Sequence, residues 1–430
     1  MQLRFASVGA IAIASAVVLS GCTAGGDAGG GDGSTVTLTI ESWRTEDTPL
    51  WTDKILPEFE KENRGIKVEF APTNNNEYDS ALSTRLQGGT AGDLITCRPF
   101  GTTKTNIKAG YLESLKGLSG LENFSESSLA PWSGDGTPYC VPLASVGAGF
   151  FYNKDIFKEL KLQVPKTQAE FVSVLQAIKA DGKYTPLALG GASVDSWALD
   201  QMGLEMVGPN YWAGDTGRVG IEDGTMKFTD PQFVQALDAL ASWRSFVPDG
   251  FASVTNPDAT QLFALGKAAV YADGSWDITP VAANGLNVGV FGAPLPAAGD
   301  TQYVQVLPDH AVALNAASKH QAEAKVFLEW LTKPEFAKIY ADAIPGFFPL
   351  NEQPVTLKDP LAQEWLDLRV GATPALPIGL DAMSEGNPNW SSAAYNILNE
   401  LMTTNMTGEQ AAQKLQSSVE SWYPPQMKNK

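Results

Sequence analysis

Histidine, cysteine and basic residues are scarce in this chain of 430 residues. It has two His and three Cys, too few for the zinc sites that proteins commonly build from these side chains. Its 30 Lys and Arg stand against 48 Asp and Glu, giving a formal net charge of −18. This acidity argues against binding to nucleic acid and against docking of a basic patch on a membrane. We therefore expect no nucleic-acid partner, no metal and no cofactor.

Apolar and aromatic residues are plentiful by contrast. They include 11 Trp, 11 Tyr and 19 Phe within a 43% apolar composition, which is typical of a globular protein. At about 150 residues per domain, the length predicts two or three domains, each with its own core.

The first 22 residues read as a targeting signal. Arg4 precedes an apolar run from Val8 to Leu19, which is shorter than the roughly 20 residues a spanning helix needs. The following Leu19-Ser20-Gly21-Cys22 resembles a bacterial lipobox, in which the cysteine thiol takes a lipid. An ordinary secretory signal with an incidental Cys22 is the alternative interpretation.

Residues 23–34 are rich in Gly and Asp and predict a flexible tether. We thus expect a body that is exported and lipid-anchored on the outer face of a bacterial membrane, without spanning it. That compartment is oxidising, so we predict a disulfide between Cys97 and Cys140. The alternative is two separate buried thiols.

Periodicity predicts an α/β fold. Alternating apolar residues indicate strands around Val36–Ile40 and Ile66–Phe70, and a third short strand covers Leu94–Cys97. Between them, Trp51, Ile55 and Phe59 recur every four residues, with Pro57 expected to kink that helix. A second helix carries Tyr78, Leu82 and Leu86. Strand, helix and strand in succession predict parallel pairing with right-handed crossovers.

Polar segments follow each of these three strands, at residues 42–47, 73–77 and 98–103. Ligands of open parallel sheets bind at the carboxyl ends of strands. Trp and Phe rings suit the apolar face of a pyranose, while Asp, Glu, Asn and Arg suit its hydroxyls. Each charged residue taken alone could equally be part of a solvated surface.

The chain resembles the extracellular solute-binding proteins of ABC importers, in the sugar-binding cluster that includes maltose-binding protein. The resemblance covers roughly residues 35–425. Its markers are Trp43-Arg44, Gly65-Ile66-Lys67-Val68, Gly92-Asp93-Leu94, Tyr152-Asn153-Lys154-Asp155, Gly266-Lys267-Ala268-Ala269, Gly274-Ser275-Trp276 and Gly346-Phe347-Phe348-Pro349.

This resemblance implies a two-lobed, periplasmic-binding-protein-like fold with a cleft between the lobes. Three strands would cross between the lobes, near Val141, Leu295 and Phe348. The first lobe would hold residues 35–141 and 297–346, and the second would hold 142–296 and 347–430. Ligand would be enclosed by hinge closure.

The candidate ligand-binding residues come from the three polar segments and from the family's aromatic positions. By resemblance to the family, Trp276 matches a tryptophan that stacks on the sugar. Trp390 matches a tryptophan at the start of a helix that faces the cleft, and Trp197 lies where the aromatic wall of the second lobe is expected. His310 could instead be a packing residue. The full set is Trp43, Arg44, Glu46, Asp47, Asn76, Arg98, Phe100, Trp197, Asp273, Trp276, Asp309, His310 and Trp390. We expect Trp132, Trp243, Trp330, Trp365 and Trp422 to serve packing.

The resemblance implies a monomeric, non-enzymatic receptor that captures a disaccharide or oligosaccharide and delivers it to the membrane permease of an ABC importer. A surface glycoside hydrolase would also use Trp platforms and paired carboxylates. A receptor for a non-sugar solute is a third possibility, and a structural adhesin a fourth.

Overall fold

A computed structural model describes residues 35–352, 355–384 and 388–427. The signal, the tether and the lipidation residue Cys22 lie outside the described residues. Within the part described, no helix combines the length and apolarity needed to cross a membrane.

Twelve strands occur among the described residues. They are β1 (Val36–Ser42), β2 (Ile66–Pro72), β3 (Leu94–Cys97), β4 (Ser133–Gly134), β5 (Thr137–Pro138), β6 (Cys140–Asn153), β7 (Thr185–Ala188), β8 (Ala268–Gly274), β9 (Val288–Phe291), β10 (Tyr303–Leu314), β11 (Phe348–Pro349) and β12 (Thr373–Ala375). The first three coincide with the three predicted strands.

Helices fill most of the remaining chain. They are α1 (Thr48–Leu50), α2 (Leu56–Glu62), α3 (Asn75–Gln87), α4 (Gly101–Lys108), α5 (Glu126–Leu129), α6 (Lys154–Glu159), α7 (Gln168–Asp181), α8 (Ser196–Leu199), α9 (Glu205–Val207), α10 (Pro209–Trp212), α11 (Asp215–Glu222), α12 (Pro231–Ala241), α13 (Asn256–Ala264), α14 (Ile278–Ala282), α15 (Gln321–Leu331), α16 (Pro334–Ala343), α17 (Pro360–Asp367), α18 (Trp390–Thr403) and α19 (Gly408–Trp422).

The main sheet has the strand order β2-β1-β3-β10-β6-β8-β7. β1 pairs in parallel with β2 and β3, as the alternation of strands and helices predicts. β10 runs antiparallel to β3 and β6. The first part of the long strand β6 pairs with β10, and its second part pairs with β8 and β9. One continuous strand therefore takes part in two regions of the sheet.

The buried apolar side chains fall into two groups. One group is drawn from residues 38–146 and 307–347, which we call the first lobe. The other is drawn from residues 148–293 and 348–423, which we call the second lobe. The division lies on β6 next to Gly147, before Leu307 on β10, and between Phe347 and Phe348. Ser145 of β6 pairs with both Pro308 and Phe348, so the three crossing segments meet at that residue.

The helix that follows β1 is less regular than its apolar spacing predicts. A π-helical turn at Trp51–Ile55 precedes α2, which has Pro57 in its first turn. Proline cannot donate a backbone hydrogen bond, so the chain changes its helical pitch just before it. Trp51, Ile55 and Phe59 are nevertheless all buried, as predicted.

The predicted disulfide is absent, because Cys97 and Cys140 are separate buried thiols. Cys97 lies opposite Ala311 on one side of β10, and Cys140 lies opposite Ala313 on its other side. Two strands that flank a third are about 10 Å apart, since neighbouring strands lie roughly 4.8 Å apart. A disulfide needs Cα atoms within about 7 Å. Burial and the neighbouring Cys97 thiol raise the pKa of Cys140 well above its ordinary value.

Candidate functional site

The polar segments after β1 and β3 come together on the first lobe. The Arg98 guanidinium lies over the Trp43 ring, with its Cζ 4.4 Å from the ring centroid. The Trp43 ring also meets His310 edge to face, at 4.8 Å between centroids, and packs on Tyr78 at 5.6 Å. Arg98 also pairs with Asp79 at 2.9 Å. The carboxyl ends of β1 and β3 therefore bring Trp43 and Arg98 together, as the carboxyl-end rule predicts, and His310 of β10 joins them.

Arg44 is held firmly by its own segment. Its Nε and Nη2 donate to the two carboxylate oxygens of Asp47 at 2.6 and 3.1 Å, and its Nη1 lies 3.2 Å from Glu46. The Cζ atom lies 4.6 Å from the centroid of the Phe347 ring. Burial alone would lower the pKa of Arg44, but the adjacent Asp47 carboxylate raises it overall. Arg44 thus keeps its charge and fixed orientation.

An irregularity in β10 presents Asp309 and His310 to this cluster. The pairing of β10 with β6 changes register at Pro308–His310 and at His310–Ala311. Bulges of this kind re-aim side chains near binding sites. Burial raises the pKa of Asp309 to about 6, although Arg44 and Arg98 oppose that rise. The Asp309 carboxylate therefore changes charge within the mildly acidic range.

His310 is buried and neutral. Its Nδ1 hydrogen-bonds with the Tyr340 hydroxyl at 2.6 Å, and its ring stacks on Phe347 at 4.8 Å between centroids. Burial, together with the nearby Arg44 and Arg98, lowers its pKa well below the ordinary value. Its Nε2 has no hydrogen-bond partner among the described residues and lies 3.6 Å from an Asp309 oxygen. Packing therefore explains most of the side chain, and Nε2 remains available.

The second lobe contributes an aromatic corner. Trp197 on α8 and Trp276 after β8 meet edge to face, with centroids 6.0 Å apart and ring planes at 66°. Both side chains are partly exposed. Trp276 packs against core residues of both lobes, so it lies where the lobes meet. The Trp197 Nε1 has no hydrogen-bond partner among the described residues.

The position of Trp276 depends on the residues before it. A Cβ atom at Gly274 would lie 2.2 Å from the Trp276 ring, so only glycine leaves room for the ring there. The Ser275 hydroxyl accepts from the Gly147 N–H at 3.1 Å and donates to the Gly346 carbonyl at 2.5 Å. The Gly-Ser-Trp sequence therefore joins the aromatic corner to two of the segments that cross between lobes.

Asp277 belongs to this wall and was not among the predicted site residues. It is partly exposed and follows Trp276 directly. Its Oδ2 accepts from the Tyr271 hydroxyl at 2.7 Å and from the Thr260 hydroxyl at 2.9 Å. The only feature of the sequence that could have indicated Asp277 as a site residue is its position next to Trp276, after the end of β8.

Two polar contacts connect the lobes directly. Asn76 Nδ2 donates to Asp195 at 2.8 Å, and Lys104 Nζ lies 2.6 Å from Asp381. Asp195 also accepts from the Asn256 backbone N–H at 2.8 Å. These contacts hold the walls of the cleft close together.

Two predicted site residues are buried in the second lobe. Trp390 is 2% exposed, stacks on Phe228 at 5.0 Å between centroids, and donates from Nε1 to Asp200 at 3.0 Å. Asp273 is fully buried, where it contacts the Tyr271 hydroxyl and accepts from the Gly274 N–H at 2.7 Å. These contacts place both side chains inside the second lobe, and their part in ligand binding stays a prediction.

Glu46 and Phe100 lie at the edge of the site. The Glu46 side chain is 55% exposed and reaches Arg44. Phe100 has a φ of 55° with a ψ of −116°, a backbone conformation that costs a non-glycine residue energy. Its described side-chain contact is with the Lys104 amine, at 5.8 Å from the ring centroid. Among the residues with described positions, no group of three or more His, Cys, Asp or Glu could hold a metal ion.

Comparison with known proteins places this geometry in context. The chain is 26% identical over 390 residues to the multiple sugar-binding protein of Streptococcus mutans, covering 86% of each chain. It is 23% identical to the melibiose/raffinose/stachyose-binding protein MelE of Bacillus subtilis, covering 76% of this chain and 77% of that one. The solved structure of the solute-binding protein RafE in complex with raffinose superposes with a TM-score of 0.75 at 23% identity, covering 91% of this chain and all of the other. This likeness shows the two-lobed fold.

The profile of one family matches residues 42–338, a span that contains the first-lobe cluster and the Trp197–Trp276 corner. The chain is a member of the bacterial extracellular solute-binding protein family.

Proposed function

We propose that this protein is the substrate-binding component of an ABC importer and that it captures a short oligosaccharide in the cleft between its lobes. The observation that carries this proposal is the aromatic corner of Trp197 and Trp276 on the second lobe, whose neighbour Asp277 lies within electrostatic reach of Arg44 on the first lobe. Indole rings stack on the apolar face of a pyranose, and the charged groups bind its hydroxyls. Two relatives are named as sugar-binding proteins, which supports a sugar as the ligand of this protein.

The energies are sufficient for useful affinity. Two aromatic contacts contribute about 1 kcal/mol each beyond burial, and hydrogen bonds to charged groups contribute about 1.5–3 kcal/mol each. A micromolar dissociation constant corresponds to about −8 kcal/mol. Several such contacts exceed that value before the cost of association is subtracted.

The contacts within each lobe support the following proposed ligand-binding set. The first lobe supplies Trp43, Arg44, Asp47, Arg98, Asp309 and His310, with Asn76, Glu46 and Phe100 at the edge. The second lobe supplies Trp197 and Trp276. We propose that the lobes divide near Gly147, before Leu307 and after Phe347, and the two sets of buried side chains on either side of these points support that division.

We also propose that the receptor is anchored to the membrane by a lipid and delivers its sugar to the permease. The lipobox-like Leu19-Ser20-Gly21-Cys22 supports a signal peptide that ends at a lipid-modified Cys22, with residues 23–34 as the tether. The receptor would then act as a monomer on the outer face of the membrane and hand its sugar to the permease.

The test is a thermal-shift screen of the mature chain without its lipid against raffinose, stachyose, melibiose and oligomers of xylose and N-acetylglucosamine. A bound sugar stabilises the folded state in proportion to RT ln(1 + [L]/Kd). We expect at least one of these sugars to raise Tm and to be recovered uncleaved after incubation. No stabilisation by any of these sugars would overturn the proposal, and cleavage products would indicate a hydrolase.

A further inference from the structure

Asp277 is held in a fixed orientation by one of its two carboxylate oxygens. Oδ2 accepts from Tyr271 and from Thr260, which belong to β8 and α13. The two hydroxyls also contact each other at 2.7 Å. Two hydrogen bonds from two elements define where the carboxylate points, and neither donor comes from the first lobe.

The other oxygen is open. Asp277 is partly exposed, and no hydrogen bond to its Oδ1 occurs among the described residues. The carboxylate follows Trp276 in a turn at Ser275–Asp277, so it lies beside the platform ring. Across the cleft, the charges of Arg44 and Glu46 act on it. The open oxygen therefore belongs to a partly exposed residue next to Trp276, within reach of a sugar stacked on that ring.

The buried neighbour of Asp277 explains how the pair is accommodated. Tyr271 has one hydroxyl hydrogen but contacts the carboxyl groups of both Asp273 and Asp277. Burial, with the charge of Asp277, raises the pKa of Asp273 well above its ordinary value. A protonated Asp273 can donate to the Tyr271 oxygen, which frees the phenol hydrogen for Asp277. Burial raises the pKa of Asp277 as well, but the hydroxyls of Tyr271 and Thr260 and the charge of Arg44 oppose that rise and favour its ionised form, with Asp273 as the neutral support behind it.

We infer that Asp277 is a sugar-contacting residue whose Oδ1 accepts a hydrogen bond from a hydroxyl of the pyranose stacked on Trp276. Tyr271 and Thr260 are the positioning residues that hold it. This inference rests on the proposed function and names a contact that neither the sequence pattern nor the family match assigns. An ionised carboxylate only accepts, so it selects a hydroxyl and rejects a deoxy or O-methyl group at that position.

The first experiment measures affinity by calorimetry with raffinose, or with the panel sugar that stabilises the wild type most. We expect Asp277→Asn to weaken binding at least tenfold, because the amide keeps an acceptor for Tyr271 and loses the charge at the cleft surface. The exposed Asp249 of the same lobe provides a matched control. Asp249→Asn is expected to bind as the wild type does.

A second measurement tests the contact itself. Analogues of the same sugar that lack one hydroxyl each are titrated into wild type and Asp277→Asn. One analogue is expected to bind at least fivefold more weakly than the parent sugar to the wild type, and within twofold of the parent to the variant. A loss of equal size in both proteins for every analogue would overturn the inference.

The positioning role has its own readout in the pH dependence of affinity. The groups that face Asp277 are Asp273 and Tyr271 on β8, Thr260 on α13, and Arg44 and Glu46 of the first lobe. Tyr271→Phe removes a hydrogen-bond donor to the Asp277 carboxylate, which favours its protonated form. As the pH is lowered, sugar affinity should therefore begin to fall at a higher pH than in the wild type. A profile that keeps its midpoint while Tm falls would show that Tyr271 is merely structural.

The outcomes separate the two claims. If no panel sugar binds to the wild type, both the proposed function and this inference fail. If Trp276→Ala abolishes binding while Asp277→Asn binds within twofold of the wild type, only the inference fails.

Discussion

The indole rings of Trp197 and Trp276 meet edge to face with their centroids 6.0 Å apart, although 79 positions separate them in the numbering (276 − 197). Aromatic pairs of this geometry favour each other by about 0.5–1.5 kcal/mol beyond their burial, so the corner is already formed without sugar. A preformed platform lowers the ordering cost of binding.

We predict that Trp276→Ala weakens binding of the best panel sugar at least tenfold, because it removes the stacking face and one side of the corner. Calorimetry measures the change. Trp422→Ala is the matched control, since Trp422 is also a partly exposed tryptophan of the second lobe and packs against Tyr423. Equal affinities of Trp276→Ala and the wild type would remove Trp276 from the site.

Gly274→Ala should weaken sugar binding without touching the sugar. The added Cβ would lie 2.2 Å from the Trp276 ring, so the ring must leave its present position. We expect an affinity loss of about tenfold and a change in tryptophan fluorescence. Gly65→Ala is the control, because a Cβ there meets nothing within 4 Å. A variant at 274 that binds like the wild type would show that the ring can move freely.

The two contacts between lobes should shift the balance between open and closed forms. In the sugar-free protein, Asn76→Ala combined with Lys104→Ala is expected to increase the radius of gyration measured by X-ray scattering. Exposed ion pairs contribute only about 0.2–1 kcal/mol, so we expect sugar affinity to fall about two- to fivefold. Lys414→Ala breaks a comparable pair with Glu400 within the second lobe, and it should change neither quantity. An unchanged radius in the double variant would contradict this role.

The buried Asp200 predicts a dependence of stability on pH. Burial raises its pKa to about 7, although the Trp390 N–H opposes that rise. The unfolded chain ionises this group near pH 4, so the folded state retains a proton that the unfolded state has lost. The free energy of unfolding should therefore fall as pH rises from about 4 to 7, by roughly 1.4 kcal/mol per unit.

Asp200→Asn should flatten that slope, because the amide oxygen can still accept from Trp390 and carries no titrating proton. Urea unfolding at pH 5, 6 and 7 measures it against the wild type. Identical slopes in the two proteins would mean that Asp200 is ionised in the folded state.

Local patterns predicted much of the fold. The helices α7 and α19 begin with capping boxes, Thr167 with Glu170 and Thr407 with Gln410, and such a box depends only on two residues three positions apart. Alternation predicted the first two parallel strands, a short apolar run predicted the third, and the intervening helices predicted their parallel pairing. Trp132, Trp243, Trp330 and Trp365 are buried as expected.

The features that the sequence did not reveal depend on distant partners. Trp390 turns inward because its N–H meets Asp200, which lies 190 positions away. The apolar spacing along α18 is the same whether Trp390 points into the core or toward the cleft. The orientation of Asp277 depends on hydroxyls from β8 and α13, and the β10 irregularity that presents Asp309 arises only in pairing with β6. The predicted disulfide between Cys97 and Cys140 is absent because β10 lies between the two strands that carry these cysteines. The spacing of residues in the sequence does not encode this strand order.

The Ser275 hydroxyl touches Gly147 of β6 and Gly346 just before β11, and the next residue is Trp276. A rotation of one lobe about these crossing segments must therefore carry the platform ring with it. Opening the cleft would tilt the Trp276 indole away from the sugar at the same moment that the binding residues of the first lobe move away. Release to a transporter would then be a single mechanical event in which stacking and hydroxyl contacts are lost together.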